Sequence, residues 1–164
     1  QLSSGDGNAH LVQLDRENYN APNLKKVLSD KSCQKIFHFA RFDVAVLKKY
    51  LNIDCEPIYC TKIVSKLVRT YTDRHGLKDL CRELIGVDLS KQQQSSNWGA
   101  KELTEEQKHY AASDVLYLHQ LKDLLDQELV KLNRKSIADE CFSFIKTRVD
   151  LDLKGWPDID IFSH

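Results

Sequence analysis

The chain has 164 residues, enough to bury one core as a single domain, and its 24 Lys and Arg balance its 24 Asp and Glu. A formal net charge of +0 argues against a protein that coats long nucleic acid, since that task needs a basic surface. A small nucleotide remains compatible, because it needs only a local cationic cluster. No stretch approaches the roughly 18 apolar residues of a membrane helix, so no membrane association is expected.

In chain order, Gly5 to Asn8 (GDGN) is a turn signal between QLSS and AHLVQL. The chain therefore opens inside a β-hairpin, and a segment upstream of Gln1 is expected. The first residues lack the charged and apolar regions of a signal peptide. Asn18 to Asn23, with Pro22, predicts a loop; Ala21 to Leu28 predicts a short helix with Leu24, Val27 and Leu28 inward. Lys35 to Ala40 (KIFHFA) predicts a strand, being rich in β-branched and aromatic residues. Phe42 to Leu51 follows as a helix with Val44, Leu47 and Leu51 on one face. A strand leading directly into a helix implies a βα unit with a parallel neighbour. Pro57 to Tyr59 is a second extended piece, and Thr61 to Val68 a helix.

Arg69 to Gly76 (RTYTDRHG) is polar and gathers Arg69, Arg74 and His75 around Tyr71. Leu77 to Gly86 predicts a helix with Leu77, Leu80, Cys81, Leu84 and Ile85 inward and Gly86 as its stop. Leu89 to Leu103 is a polar loop with Lys91, three glutamines and Trp98. It reads equally as a solvated connection anchored by Trp98 and as a substrate-lining loop. Thr104 to Leu132 predicts one long helix, with Thr104 and Gln107 in capping-box spacing and Glu105 and Glu106 at the positive end. Its inward stripe is Ala111, Val115, Leu118, Leu121, Leu125, Leu129 and Leu132. Ser136 to Ile145 predicts a last amphipathic helix. The tail, Leu151 to His164, carries Trp156, Ile159, Ile161 and Phe162, which are costly to leave exposed, so it is expected to dock on its own domain or on another subunit. The five cysteines lack CxxC spacing, which disfavours a zinc site or a disulfide framework and suits reduced thiols in a cytoplasmic protein.

Two carboxylates stand out. Asp114 sits at the edge of the long helix's buried stripe, where an unpaired charge is costly, and Tyr110 lies one turn earlier on the same side. An acid at the rim of a core, with a hydroxyl beside it, suits a bound divalent cation. Asp43 falls in the first turn of a helix, just beyond a strand's carboxyl end, where ligands gather in open α/β sheets. A helix-start aspartate stabilised by the dipole is the competing account.

HFARFD (His38 to Asp43), SKQQQSSNW (Ser90 to Trp98) and HYAASDVLYL (His109 to Leu118) occur in the order and at the separations of the ribonuclease D branch of the DEDD exonucleases. The stretches FHFARFDVAVL, CTKIVSKLVRTYTDRHGLK and GWPDIDIFSH look closer still to the nanoRNase C family, bacterial members that degrade very short RNA. The resemblance implies a ribonuclease-H-like α/β fold, a mixed sheet flanked by helices, forming one exonuclease domain over residues 1–164 with 151–164 as a docking tail. It implies a 3′→5′ exoribonuclease that uses two Mg²⁺ or Mn²⁺ ions, held by four carboxylates, to release nucleoside 5′-monophosphates from short RNA such as dinucleotides. Asp43 and Asp114 match two of those carboxylates, and Tyr110 matches the tyrosine of the DEDDy subtype, which orients or deprotonates the attacking water. A homo-oligomer, an octameric ring in that family, is implied as well.

The family's first motif, an Asp-x-Glu on the first strand, supplies the other two carboxylates and has no counterpart on a plausible first strand here. A chain truly beginning at Gln1 is therefore expected to lack useful turnover. Two rival readings remain: an inactive domain that only binds nucleotides or assembles, and a longer-substrate exonuclease like ribonuclease D. For substrate contacts the candidates are His38, Arg74 and His75 on phosphate, Phe42 and Trp98 against a base, and Lys91 in the polar loop. Core or surface roles compete at each.

Overall fold

The strand–helix alternation becomes one parallel βαβ unit wrapped by further helices. The computed structural model describes residues 1–164 except Arg16, Lys91 and His164, so the Lys91 expectation lies outside the described residues. Leu2 and His10 form an antiparallel bridge with N–H···O distances of 2.9 and 2.7 Å, the opening hairpin read from GDGN. Gly5 is required at its tip: φ is +86°, and a Cβ there would meet the His119 ring at 2.9 Å.

Helix α1 (Pro22–Ser29) is followed by β1 (Lys35–Phe37) and α2 (Ala40–Val46), which widens into a π turn at Leu47–Leu51. Strand β2 (Ile58–Cys60) lies parallel to β1 with Ile36 opposite Tyr59. Then come α3 (Thr61–Val68), α4 (Leu77–Ile85), α5 (Glu105–Leu116), α6 (Leu118–Lys131) and α7 (Lys135–Leu153). Gly86 closes α4 in the left-handed region, as its place in the sequence requires.

One core joins these elements. Val44 of α2, Tyr59 of β2, Val64 of α3, Leu80 of α4, Leu121, Leu125 and Leu129 of α6 and Phe142 and Val149 of α7 are all buried in it. Tyr59 reaches out of it to donate to Asp126 at 3.0 Å, which also pairs with Lys122.

Four expectations are corrected. The strand ends at Phe37 rather than Ala40, because Phe39 turns left-handed (φ 73°, ψ 48°) and starts the helix two residues early. The long helix over Thr104–Leu132 is two, since Tyr117 at φ −100°, ψ −3° breaks the regular ladder; Leu132 lies past its end and is exposed. Val27 is exposed, because α1 buries only Leu28. The last helix runs eight residues beyond Ile145 to Leu153, as the stripe Ala138, Phe142, Ile145 continues to Val149.

Charge holds that extension in place. Asp152 accepts from Arg41 Nε and Nη2 at 2.6 and 2.8 Å and from Arg148 Nη2 at 2.7 Å. The same two guanidiniums donate to tail carbonyls at Trp156, Pro157 and Ile159, and Phe162 lies 6.1 Å from Phe144. The tail backbone is thus tied to α7 while Trp156, Ile159, Ile161 and Phe162 stay exposed. None of the described helices is long and apolar enough to cross a membrane.

Candidate active site

Asp43 reaches its place through the turn after β1. The left-handed Phe39 reverses the chain so sharply that α2 begins at Ala40, and Asp43 falls in its first turn. Asp114 and Tyr110 come from α5, whose start is fixed by a complete capping box. Thr104 Oγ1 accepts from the Gln107 N–H at 3.2 Å, and Gln107 Oε1 accepts from the Thr104 N–H at 2.9 Å.

These two elements bring the carboxylates into one field. Burial pushes Asp43 up to about 6, and the charge of Asp114 adds to the rise. The Asp114 carboxyl is raised too, chiefly by burial. The Gln1 amino group is influenced by both carboxylates and lowers both in turn. Tyr110 is raised, by burial first and the Asp114 charge second. Two desolvated acids whose charges add in one field are unfavourable without a cation nearby, and carboxylate oxygens are the donors hard divalent cations prefer. Among the described residues no third Asp, Glu, His or Cys completes a cluster around them. Of the Asp-x-Glu sequences present, Asp15 and Glu17 sit exposed in a loop, Asp54 and Glu56 pair with Lys48 and Lys146, and Asp126 and Glu128 lie on α6, where Asp126 is committed to Tyr59 and Lys122.

Tyr110 is braced from the polar loop. Trp98 tilts against it at 5.8 Å between ring centroids. Trp98 donates to the Gln93 carbonyl at 3.2 Å. Gln107, 5% exposed, donates to Ser96 Oγ and the Asn97 carbonyl at 3.0 and 3.2 Å. The residue that caps α5 therefore also seats the loop that carries Trp98, a second role its spacing did not reveal. A cleft of about 650 Å³ lies on the Trp98 side, lined by Gln1, Leu11, Tyr19, Leu103 and Ala111. A second, of about 490 Å³, borders Tyr110 with Gln92, Gln93, His109, Ser113 and Tyr117.

The remaining candidates separate into two groups. Phe42 is 63% exposed and Arg74 is exposed, both free to meet a ligand. His38 and His75 instead have internal partners: His38 Nδ1 meets Thr61 Oγ1 at 2.9 Å, and His75 Nδ1 meets Ser65 Oγ at 2.8 Å. Burial first, and the charge of Lys62 second, hold His38 down to about 4, so its ring is neutral at neutral pH. Arg69 is 3% exposed and paired with Glu83, not a surface cation.

The 3′-5′ exonuclease family model matches residues 1–130. The structure of Brucella melitensis NrnC with bound Mg²⁺ is 52% identical with a TM-score of 0.94, over 99% of this chain and 79% of that one. The same nuclease bound to pGG is 54% identical with a TM-score of 0.95, over 99% of this chain and 78% of that one. A ribonuclease D of Jannaschia sp. is 26% identical over 135 residues, 82% of this chain and 35% of the relative. The chain spans about a third of the length of the curated ribonuclease D relatives it matches. The fold is the ribonuclease-H-like mixed α/β fold of the DEDD nucleases. With its model matched over 130 of 164 residues, the chain belongs to the 3′-5′ exonuclease family.

Proposed function

We propose that the protein is a divalent-metal-dependent 3′→5′ exoribonuclease that degrades very short RNA, dinucleotides foremost, to nucleoside 5′-monophosphates. The observation that carries this reading is the convergence of Asp43 and Asp114 from two elements, with Tyr110 one turn from Asp114. The likeness to a nuclease whose structures hold bound Mg²⁺ and bound pGG supports the metal and the substrate class.

Asp43 and Asp114 would hold a pair of Mg²⁺ or Mn²⁺ ions, with the first-motif Asp and Glu as the other two carboxylates. When bound, such ions lower the pKa of the attacking water and stabilise the oxygens entering and leaving phosphorus. Loading requires both carboxylates ionised, so below about pH 6 metal binding competes with protonation of Asp43. The Tyr110 phenol, raised above its ordinary value, stays protonated at neutral pH. Its hydroxyl would orient or deprotonate the attacking water. Trp98 keeps that phenol in place, and the exposed Phe42 and Arg74 are the groups available to a base and a phosphate.

We read residues 1–164 as one exonuclease domain with 151–164 as its docking tail, in a cytoplasmic homo-oligomer. Five free thiols suit a reducing compartment, and the exposed apolar tail side chains suit a subunit contact. A monomer by light scattering at micromolar concentration contradicts the oligomer.

The function is tested by hydrolysis of a 5′-labelled diribonucleotide in Mg²⁺ or Mn²⁺. The protein carrying both the first-motif carboxylates and residues 1–164 should cleave it, with activity lost to EDTA and to Asp114→Asn. EDTA-resistant cleavage, or full activity in Asp114→Asn, refutes the reading.

A further inference from the structure

Behind the Asp43 turn lies a row of buried polar side chains that the chemistry above does not use. Thr61 and Ser65 of α3 are fully buried, and Arg69 is 3% exposed. Such groups are costly to bury unless bonded, and each of these is bonded. Thr61 Oγ1 pairs with His38 Nδ1 at 2.9 Å and lies 3.2 Å from the Phe37 carbonyl at the end of β1. Thr61 and Ser65 stand one turn apart on α3. Ser65 Oγ pairs with His75 Nδ1 at 2.8 Å and accepts from Arg69 Nη1 at 3.0 Å. Arg69 Nη1 donates to the Arg74 carbonyl at 2.8 Å, and its Nη2 pairs with Glu83.

This row joins two places that matter to the site. One end is β1's last carbonyl and the residue before Phe39, whose left-handed backbone a bulky side chain keeps only when its surroundings hold it. Asp43 follows four residues later. The other end is the 69–76 loop, which presents the exposed Arg74.

We propose that the row is a positioning device, with Thr61 and Ser65 of α3 as its joints, that fixes the Phe39–Asp43 turn in register with the Arg74 loop. α3 couples the two because Thr61 holds His38 and Ser65, one turn on, holds His75. The row is a positioning element and touches no reacting atom. Only its effect on turnover rests on the exonuclease reading; the mechanical coupling does not.

Amide hydrogen exchange on Thr61→Val, which removes the hydroxyl and keeps the shape, tests the coupling. Exchange should rise about tenfold or more both at residues 39–43 and at residues 72–76, and Thr61→Ser should restore it. Ser65→Ala, cutting the row from the loop side, should loosen residues 39–43 in the same way and serves if Thr61→Val does not fold. Exchange that rises only beside the substituted residue, with the distant segment within about twofold of wild type, overturns the coupling. In diribonucleotide hydrolysis, kcat of Thr61→Val should fall about tenfold with KM within about threefold, and Thr61→Ser should recover it. An unchanged kcat in the folded variant overturns the positioning role. A wild type inert with Mg²⁺ defeats the exonuclease reading instead, while exchange still decides the coupling.

Discussion

The two carboxylates of the site are held by opposite kinds of structure. Asp114 rides on α5, a helix whose start is written locally in Thr104 and Gln107 and whose Tyr110 lies a single turn away. Asp43 hangs from a turn through a left-handed phenylalanine, backed by partners from α3, more than 20 residues along the chain. The first support is short-range; the second exists only once the domain has closed. Substitutions in the two regions should therefore fail differently: near α5 they should touch chemistry or a cap, and near the Asp43 turn they should touch folding and geometry together.

The largest effect after loss of a metal ligand is expected at Tyr110. Tyr110→Phe keeps the ring packed on Trp98 and removes only the hydroxyl. Its kcat should fall by ~10²–10⁴, the range of positioned proton and water handling, with the melting temperature nearly unchanged. A variant within threefold of wild type would mean that the phenol does not orient the water.

An intermediate effect belongs to His38 and appears as pH-dependent stability. Its folded pKa of about 4 lies below the ordinary 6.5, so the unfolded chain binds the extra proton first. This group costs nothing above pH 6.5; the penalty grows as pH falls and levels off below about 4, reaching at most ~3 kcal/mol. Asp43, raised to about 6, works in the opposite direction over much of that window. Denaturant melts of wild type against His38→Asn isolate the histidine, because Asp43 titrates in both. The wild type should lose ground to the variant as pH drops from 7 to 4; a constant difference contradicts a buried neutral imidazole.

The smallest effect is expected at Gln107. Gln107→Ala removes half of the capping box and frees Ser96 and Asn97, at about 1 kcal/mol or about 2–4 °C in Tm. Turnover should change only a few-fold, since Trp98 keeps its own bond to the Gln93 carbonyl. A hundredfold loss would show that the loop positions Tyr110 far more tightly than that one contact implies.

What could be read in the sequence follows the same division. The capping box, the Tyr110–Asp114 spacing, the parallel βα unit and the α3 helix are short-range patterns, and all of them are legible in a single chain. The break at Tyr117 is not, because the apolar stripe runs through it unbroken from Ala111 to Leu129. The left-handed Phe39 is hidden too: nothing in a strand-like KIFHFA marks a reversal at a phenylalanine, and the packing that tolerates it comes from α3. Arg69 and His75 read as surface cations in a polar loop, yet Ser65 and Glu83, distant in the pattern, draw them inward. Burial of polar groups depends on partners supplied by other elements, which periodicity does not encode.

The central claim is that Asp43 and Asp114, from different elements, hold metal as one site. A double-mutant cycle in Mn²⁺ affinity tests it most directly, with Asp43→Asn, Asp114→Asn and the pair. Each single variant should weaken binding about tenfold or more, and the double should be little worse than either, the non-additivity of groups sharing one ligand. Independent, additive losses, or a single variant with unchanged affinity, would mean that the two carboxylates do not share an ion.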